Sequence, residues 1–208
     1  GGSRFDGNGG SALHGNQHPS RFWRLQRLGD TRVFAKRSVV NGIDAAATLL
    51  LDTSYSMESQ LARAVEVTMA FSLALQRLGI RTKVARYPGT ETITQTLQQF
   101  GESPRVCSER VNGLTADGGT PTGVATMTEL PELLAQRRLT NFLALVTDGD
   151  AADPDLFVAA LKQAREAGVR VIGVGIGCDI STSIPASVEV NNVQELPDAL
   201  ARLFRENI

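Results

Sequence analysis

Five oxygen-bearing side chains stand where they could share one cation: Asp52, Ser54, Ser56, Thr120 and Asp148. The first three belong to Leu49-Leu50-Leu51-Asp52-Thr53-Ser54-Tyr55-Ser56, an apolar run that ends at an acid and continues with hydroxyls at alternate positions. Alternate residues of an extended segment point to the same side. Asp52, Ser54 and Ser56 can therefore turn toward one point as the chain leaves its strand. A carboxylate with two hydroxyls is a hard-oxygen set, suited to Mg²⁺, Mn²⁺ or Ca²⁺. Thr120, within Gly118-Gly119-Thr120-Pro121-Thr122, and Asp148, within Leu145-Val146-Thr147-Asp148-Gly149-Asp150, complete the set.

For these pieces to meet, the elements that carry them must end on one rim. Residues 45–51 and 141–147 are apolar runs that read as fully buried strands, so Asp52 and Asp148 each stand directly after a strand. Between them, Leu61, Ala64, Val65, Thr68, Phe71, Ser72, Leu75 and Leu78 recur at helical spacing, and Gly79 closes the helix. Residues 80–87 alternate as a strand, and Pro88-Gly89 turns the chain. The Thr-rich stretch 90–98 suits an exposed edge strand, and 99–119 reads as loop with a short turn of helix. Thr120-Pro121 predicts a helix with Pro at its first position, running to about residue 138 with an interruption near Pro131. Asp153-Pro154 opens another helix, with Asp153 as its cap and Phe157, Ala160, Leu161 and Ala164 on one face. Further strands are expected at 169–176 and 186–190. Asn192 with Glu195 predicts a capping box before a last helix carrying Leu196, Leu200, Leu203 and Phe204.

Strands that alternate with helices pair in parallel through right-handed crossovers. The expected fold is therefore α/β: a doubly wound, mostly parallel sheet with helices on both faces and one antiparallel edge strand. Such sheets bind ligands beyond the carboxyl ends of the strands, where the winding reverses. That rim is where Asp52, Thr120 and Asp148 are expected to meet.

The rest of the composition narrows the partners. At 208 residues and 42% hydrophobic, the chain is long and apolar enough for one ordinary core. A net charge of −1 argues against a general nucleic-acid or anionic-membrane partner. No apolar run approaches the roughly 20 residues of a membrane helix. Cys107 and Cys178 are expected as two separate thiols in a reducing compartment, with a disulfide as the alternative. Without sequon or signal peptide, the cytoplasm is the expected location. Residues 1–20, rich in Gly, Ser, Asn and His, read as a flexible linker or remnant, and the opening Gly-Gly-Ser without Met suits a piece of a longer chain. Residues 21–42 form a basic arm with Trp23, and the folded domain is expected over 43–208.

Asp52-x-Ser54-x-Ser56, then Thr120, then Asp148-Gly149, in that order, resembles the metal-ion-dependent adhesion site of von Willebrand factor A domains, over about residues 43–207. Tyr55 departs from the Gly that many members carry there. The resemblance implies that Ser54 and Ser56 bind Mg²⁺, or Mn²⁺ or Ca²⁺, directly. It implies that Thr120 binds directly or through water, and that Asp52 and Asp148 act through waters and by fixing the hydroxyls. A carboxylate from a partner protein would fill the open position. Within that superfamily, Tyr87-Pro88-Gly89, Gly118-Gly119-Thr120-Pro121-Thr122, Ile172-Gly173-Val174-Gly175-Ile176-Gly177, Glu195-Leu196 and the lead-in Asp30-Thr31-Arg32-Val33-Phe34 are similar to the C-terminal domain of CobT-type cobalt chelatase subunits. That implies work beside an AAA+ ATPase or chelatase subunit in cobalamin synthesis. Adaptors of MoxR-type ATPases share the same features.

Other chemistry finds less footing. Asp148-Gly149-Asp150 suits a Mg²⁺-dependent phosphoryl-transfer site, but Ser54 stands where such an enzyme places its second acid. The chain has no Gly-x-x-x-x-Gly-Lys-Ser/Thr loop and no Gly-x-Ser-x-Gly elbow. Its two histidines, His14 and His18, lie in the tail. No activity of its own is expected. Gly173-x-Gly175-x-Gly177 reads as close backbone packing rather than a nucleotide loop.

Overall fold

A computed structural model describes residues 43–149, 151–199 and 201. The expectations for the linker, the basic arm, Asp150, Leu200, Leu203 and Phe204 fall outside these residues. The elements, in order, are β1 (Ala45–Asp52), α1 (Leu61–Arg77), β2 (Arg81–Tyr87), β3 (Gln95–Gln98), α2 (Pro104–Arg110), α3 (Thr122–Leu134), β4 (Thr140–Thr147), α4 (Pro154–Glu166), β5 (Val169–Ile176) and β6 (Ser187–Val190). They build one six-stranded sheet in the order β3-β2-β1-β4-β5-β6. All neighbouring pairs are parallel except β2 with β3. The winding reverses between β1 and β4, as expected of a doubly wound sheet.

Every residue of β1 is buried because both faces of the sheet are covered. Ala45, Ala47, Leu49 and Leu51 face Ala64, Val67, Phe71 and Leu75 of α1. Ala46 and Leu50 face Ala125, Leu130 and Leu133 of α3 with Phe157 and Leu161 of α4. The two helix layers hold β1 and β4 rigid, so the loops that leave Asp52 and Thr147 start from fixed points. Gly79 and Gly168 end their helices at φ 81° and 75°, a left-handed turn that suits glycine.

Several local expectations are corrected. Pro131 does not interrupt its helix: α3 runs through it and ends at Leu134. Pro131 is exposed, while Leu130 and Leu133 are buried and hold the last turn. Pro121 takes the N-cap rather than the first helical position. The edge strand is only Gln95–Gln98, because the Gly89 N–H donates to Ile93 C=O and folds 89–93 into a turn. Its Leu97 is buried rather than exposed. The expected capping box does not form, because Glu195 reaches one residue too far back, to Asn191 rather than to the N-cap N–H of Asn192. The Glu195 carboxylate accepts from the Asn191 N–H at 2.9 Å and from the Asn192 amide at 2.7 Å, but the Asn192 side chain caps nothing. Cys107 and Cys178 are not joined in a disulfide. Burial pushes the Cys107 thiol up to about 11. Among the described residues, no helix is long and apolar enough to cross a membrane.

Candidate metal centre

Asp52 ends β1 with its carboxylate fully buried and held on both sides. Oδ1 accepts from the Ser54 N–H at 2.9 Å, and Oδ2 accepts from the Thr147 hydroxyl at 2.7 Å. The first bond folds the chain at Ser54 into the short 3-10 turn Tyr55–Ser59, which Met57 anchors in the core. Ser54 and Ser56 then lie on one side, their Oγ atoms 3.1 Å apart. Ser56 donates to Asp148 Oδ1 at 3.0 Å. A continuous polar path therefore runs from Thr147 through Asp52, Ser54 and Ser56 to Asp148, passing from buried to exposed. Four of the five expected residues are brought together in it.

Thr120 comes to the same rim by its backbone. The Thr120 C=O accepts from the Ala152 N–H at 2.9 Å, on the loop beyond Asp148. The Gly118 C=O accepts from the Tyr55 N–H at 3.1 Å, and the Asp117 N–H donates to Thr53 C=O at 2.7 Å. The 117–122 loop is thus laced between the exits of β1 and β4. The Thr120 hydroxyl does not join the path and has no hydrogen-bond partner among the described residues.

Asp153 stands at the N-cap of α4, as expected, but its side chain caps a different helix. Both carboxylate oxygens accept from α3, from the Gly123 N–H at 2.9 Å and the Val124 N–H at 3.0 Å. Gly123 makes the approach possible, since a Cβ there would lie 2.4 Å from the Phe157 nitrogen. Gly175 shows the same use: a Cβ would lie 2.1 Å from the Cys178 carbonyl oxygen, which favours close packing for that glycine run.

Residues that the sequence did not mark as ligands lie next to the path. Tyr87, fully buried at the end of β2, receives the Thr122 hydroxyl at 3.4 Å. Thr53 donates to the Tyr87 C=O at 3.1 Å. Arg86, also buried, reaches Gln95 at 2.8 Å and Thr90 at 2.9 Å. The signal for Thr147 and Tyr87 was their place, each the last residue of a strand on the ligand-binding rim.

Burial is the main influence on Asp52 and raises its pKa, against the hydrogen bonds from Ser54 and Thr147. A buried carboxylate raised in this way gains from a nearby cation. Among the described residues, no three His, Cys, Asp or Glu side chains gather as a metal-holding group. A cation here would depend on hydroxyls. The spacing fits one: oxygens at about 2.1 Å around Mg²⁺ lie about 3 Å from their neighbours. Ser54 Oγ to Ser56 Oγ is 3.1 Å and Ser56 Oγ to Asp148 Oδ1 is 3.0 Å.

The family model for the von Willebrand factor type A domain matches residues 48–199. No curated protein matches the sequence. Solved structures with the same fold include manganese-loaded Plasmodium vivax TRAP protein, 15% identical over 78% of this chain and 74% of that one, with a TM-score of 0.60. An aerotolerance-related membrane protein from Bacteroides fragilis is 14% identical over 77% of this chain and 99% of the other, with a TM-score of 0.61. Proximal thread matrix protein 1 from the mussel byssus, with a zinc occupied MIDAS motif, is 13% identical over 78% of this chain, with a TM-score of 0.59. This chain covers 45% of that mussel chain.

Proposed function

Because the chain belongs to the von Willebrand factor type A family, we propose that it is a metal-dependent protein-interaction domain whose cation forms part of the interface. Ser54 and Ser56 hold the ion directly through neutral hydroxyls. Asp52 and Asp148 act through waters and by orienting those hydroxyls, and Thr120 binds directly or through water. With few anionic ligands on it, the ion keeps its affinity for a carboxylate, and an acidic side chain of a partner protein takes the open position. The observation that carries this reading is the spacing of the three rim oxygens, from Ser54 through Ser56 to Asp148, at 3.1 and 3.0 Å. The manganese in the Plasmodium protein and the zinc in the mussel protein support a divalent ion at this rim. Mg²⁺ is the ion we propose, since it retains waters and suits a mixed shell.

We place the domain in the cytoplasm, in a CobT-like cobalt chelatase or a related assembly with an AAA+ ATPase. Support comes from two of the motifs shared with that branch, Tyr87-Pro88-Gly89 and Gly118–Thr122, which border the rim. A MoxR-type partner would use the same surface. A pull-down from cell lysate, with and without EDTA, tests the reading. A partner retained by the wild type, released by EDTA and lost with Ser54→Ala/Ser56→Ala is the expected result. Retention indifferent to EDTA and to the double substitution contradicts it. A phosphoryl-transfer enzyme would instead turn over a generic phosphate ester with Mn²⁺, and Asp148→Asn would abolish that turnover.

A further inference from the structure

The edge strand β6 is too short to cover its neighbour. β5 runs over Val169–Ile176, but β6 pairs only with Gly173–Ile176. The Gly173 N–H donates to the Ala186 C=O at 2.9 Å, so Gly173 turns its peptide groups to that side. Peptide groups alternate along a strand, so those of Val171 and Val169 point the same way. Before Ala186 the chain leaves the edge and climbs onto the face of the sheet, where a Cβ on Gly173 would lie 3.2 Å from the Ile184 Cβ. Among the described residues, no backbone or side chain bonds to Val169 or Val171 from that side.

A sheet edge with open N–H and C=O groups is a template for another extended chain, and folded proteins commonly protect it. At the opposite edge the Arg110 guanidinium donates to the Leu97 C=O of β3 at 3.3 Å. The β5 edge instead borders a notch of about 650 Å³. Half-buried Val171 and Ile184 give the notch an apolar wall. Arg165, exposed in the last turn of α4, lines it together with Arg170, and its described lining residues include no acid. The notch lies beside the start of β5. Because β1, β4 and β5 are parallel, that is the end of the sheet opposite to the exits of β1 and β4.

We propose that this edge of β5 is a second docking site, which takes an extended acidic segment of a partner protein as an added strand. The segment pairs its backbone with Val169 and Val171. Its apolar side chains lie against Val171 and Ile184, and its carboxylates meet Arg165. In strand addition of this kind the backbone bonds supply affinity, and alternate side chains supply the choice of sequence. Arg165 makes that choice acidic, since a cation bordering an interface attracts opposite charge and repels like charge. The site needs no metal ion, so it stands or falls apart from the reading of the opposite rim.

The test titrates two synthetic probes, an octapeptide of alternating Glu and Val and its Lys–Val counterpart, into the isotope-labelled full chain and follows backbone amides by NMR. The Glu–Val peptide should shift the Val169 and Val171 amide signals and slow hydrogen exchange at Val171, equally in EDTA and in Mg²⁺. The Lys–Val peptide should bind more weakly by about 10-fold, and Arg165→Glu should erase that preference. A Glu–Val peptide methylated on alternate backbone nitrogens should not bind, because it cannot complete the ladder. That control leaves the protein unaltered, so it decides even where Arg165→Glu does not fold. A methylated peptide that binds like its parent overturns the added strand. Equal affinity for the Glu–Val and Lys–Val peptides overturns the acidic partner. A Val171 amide that stays unmoved at millimolar Glu–Val peptide overturns the site itself.

Discussion

The carboxylate of Asp153 caps α3 rather than its own helix, accepting from the Gly123 N–H at 2.9 Å with one oxygen and from the neighbouring N–H with the other. The first N–H groups of a helix lack partners and carry positive partial charge. Asp153 answers both needs from the loop after β4. It thereby draws that loop, with Asp148 in it, against the start of the helix just beyond Thr120. Asp153→Ala should lower unfolding free energy by roughly 1–2 kcal/mol in urea titration. Asp155→Ala, one residue into the helix, should change it by less than about 0.5 kcal/mol. Equal effects from the two would contradict the cross-helix cap.

Gly123 is the contact point of α3 and α4. An added Cβ would meet the Phe157 nitrogen at 2.4 Å and the Leu156 carbonyl carbon at 2.5 Å, both backbone atoms. Alanine gains up to about 1 kcal/mol in helix propensity. Forcing the helices apart should outweigh that, for a net loss of about 1–3 kcal/mol in Gly123→Ala. Gly119→Ala, where a Cβ meets nothing within 4 Å, should leave melting nearly unchanged. Thermal melting of the two variants in EDTA separates these outcomes.

Lys83 lies buried against two acids, 2.6 Å from Glu129 Oε2 and in contact with Glu132. Burial pulls its pKa down, but the bonds and charges of Glu129 and Glu132 outweigh this and hold it above the ordinary 10.5. A raised ammonium contributes its full stability below the unfolded-state value and loses it as pH climbs through the folded-state value. The loss therefore lies above about pH 10.5. Lys83→Met strands Glu129 in the core and should cost about 3–5 kcal/mol, most of which Lys83→Met/Glu129→Leu should recover. The alkaline limb of wild-type stability should be shallower in that double variant. Denaturation at a series of pH values from 8 upward reads both effects.

The sequence made Asp52, Ser54 and Ser56 legible by their spacing after a buried run, but the extended alternation expected of them stops at Ser54. Ser56 lies in the 3-10 turn 55–59, and it is that turn which brings the two hydroxyls to 3.1 Å. The α/β winding was legible from apolar runs and helical spacing. What escaped was set by contacts across the sheet. Nothing around Asp153 tells which helix its carboxylate will reach, because α3 lies some 30 residues away in the chain. Nothing local tells that the Thr122 hydroxyl will come within 3.4 Å of the Tyr87 phenol, 35 residues away in the chain. Pro131 misled because local propensity predicts a break, whereas buried Leu130 and Leu133 hold the last turn of the helix in place. Thr120 reaches this rim through its backbone carbonyl, and among the described residues no hydrogen bond joins its hydroxyl to the path of the other four.

The central claim is that hydroxyls at the exit of β1 hold a divalent cation, and direct titration tests it. Mg²⁺ is titrated by calorimetry into metal-free wild type and into Ser54→Ala/Ser56→Ala, each first shown to be folded by melting in EDTA. The account predicts a saturable one-to-one isotherm for the wild type, with a melting temperature that rises with Mg²⁺, and neither response in the double variant. Equal heats from the two proteins would contradict it.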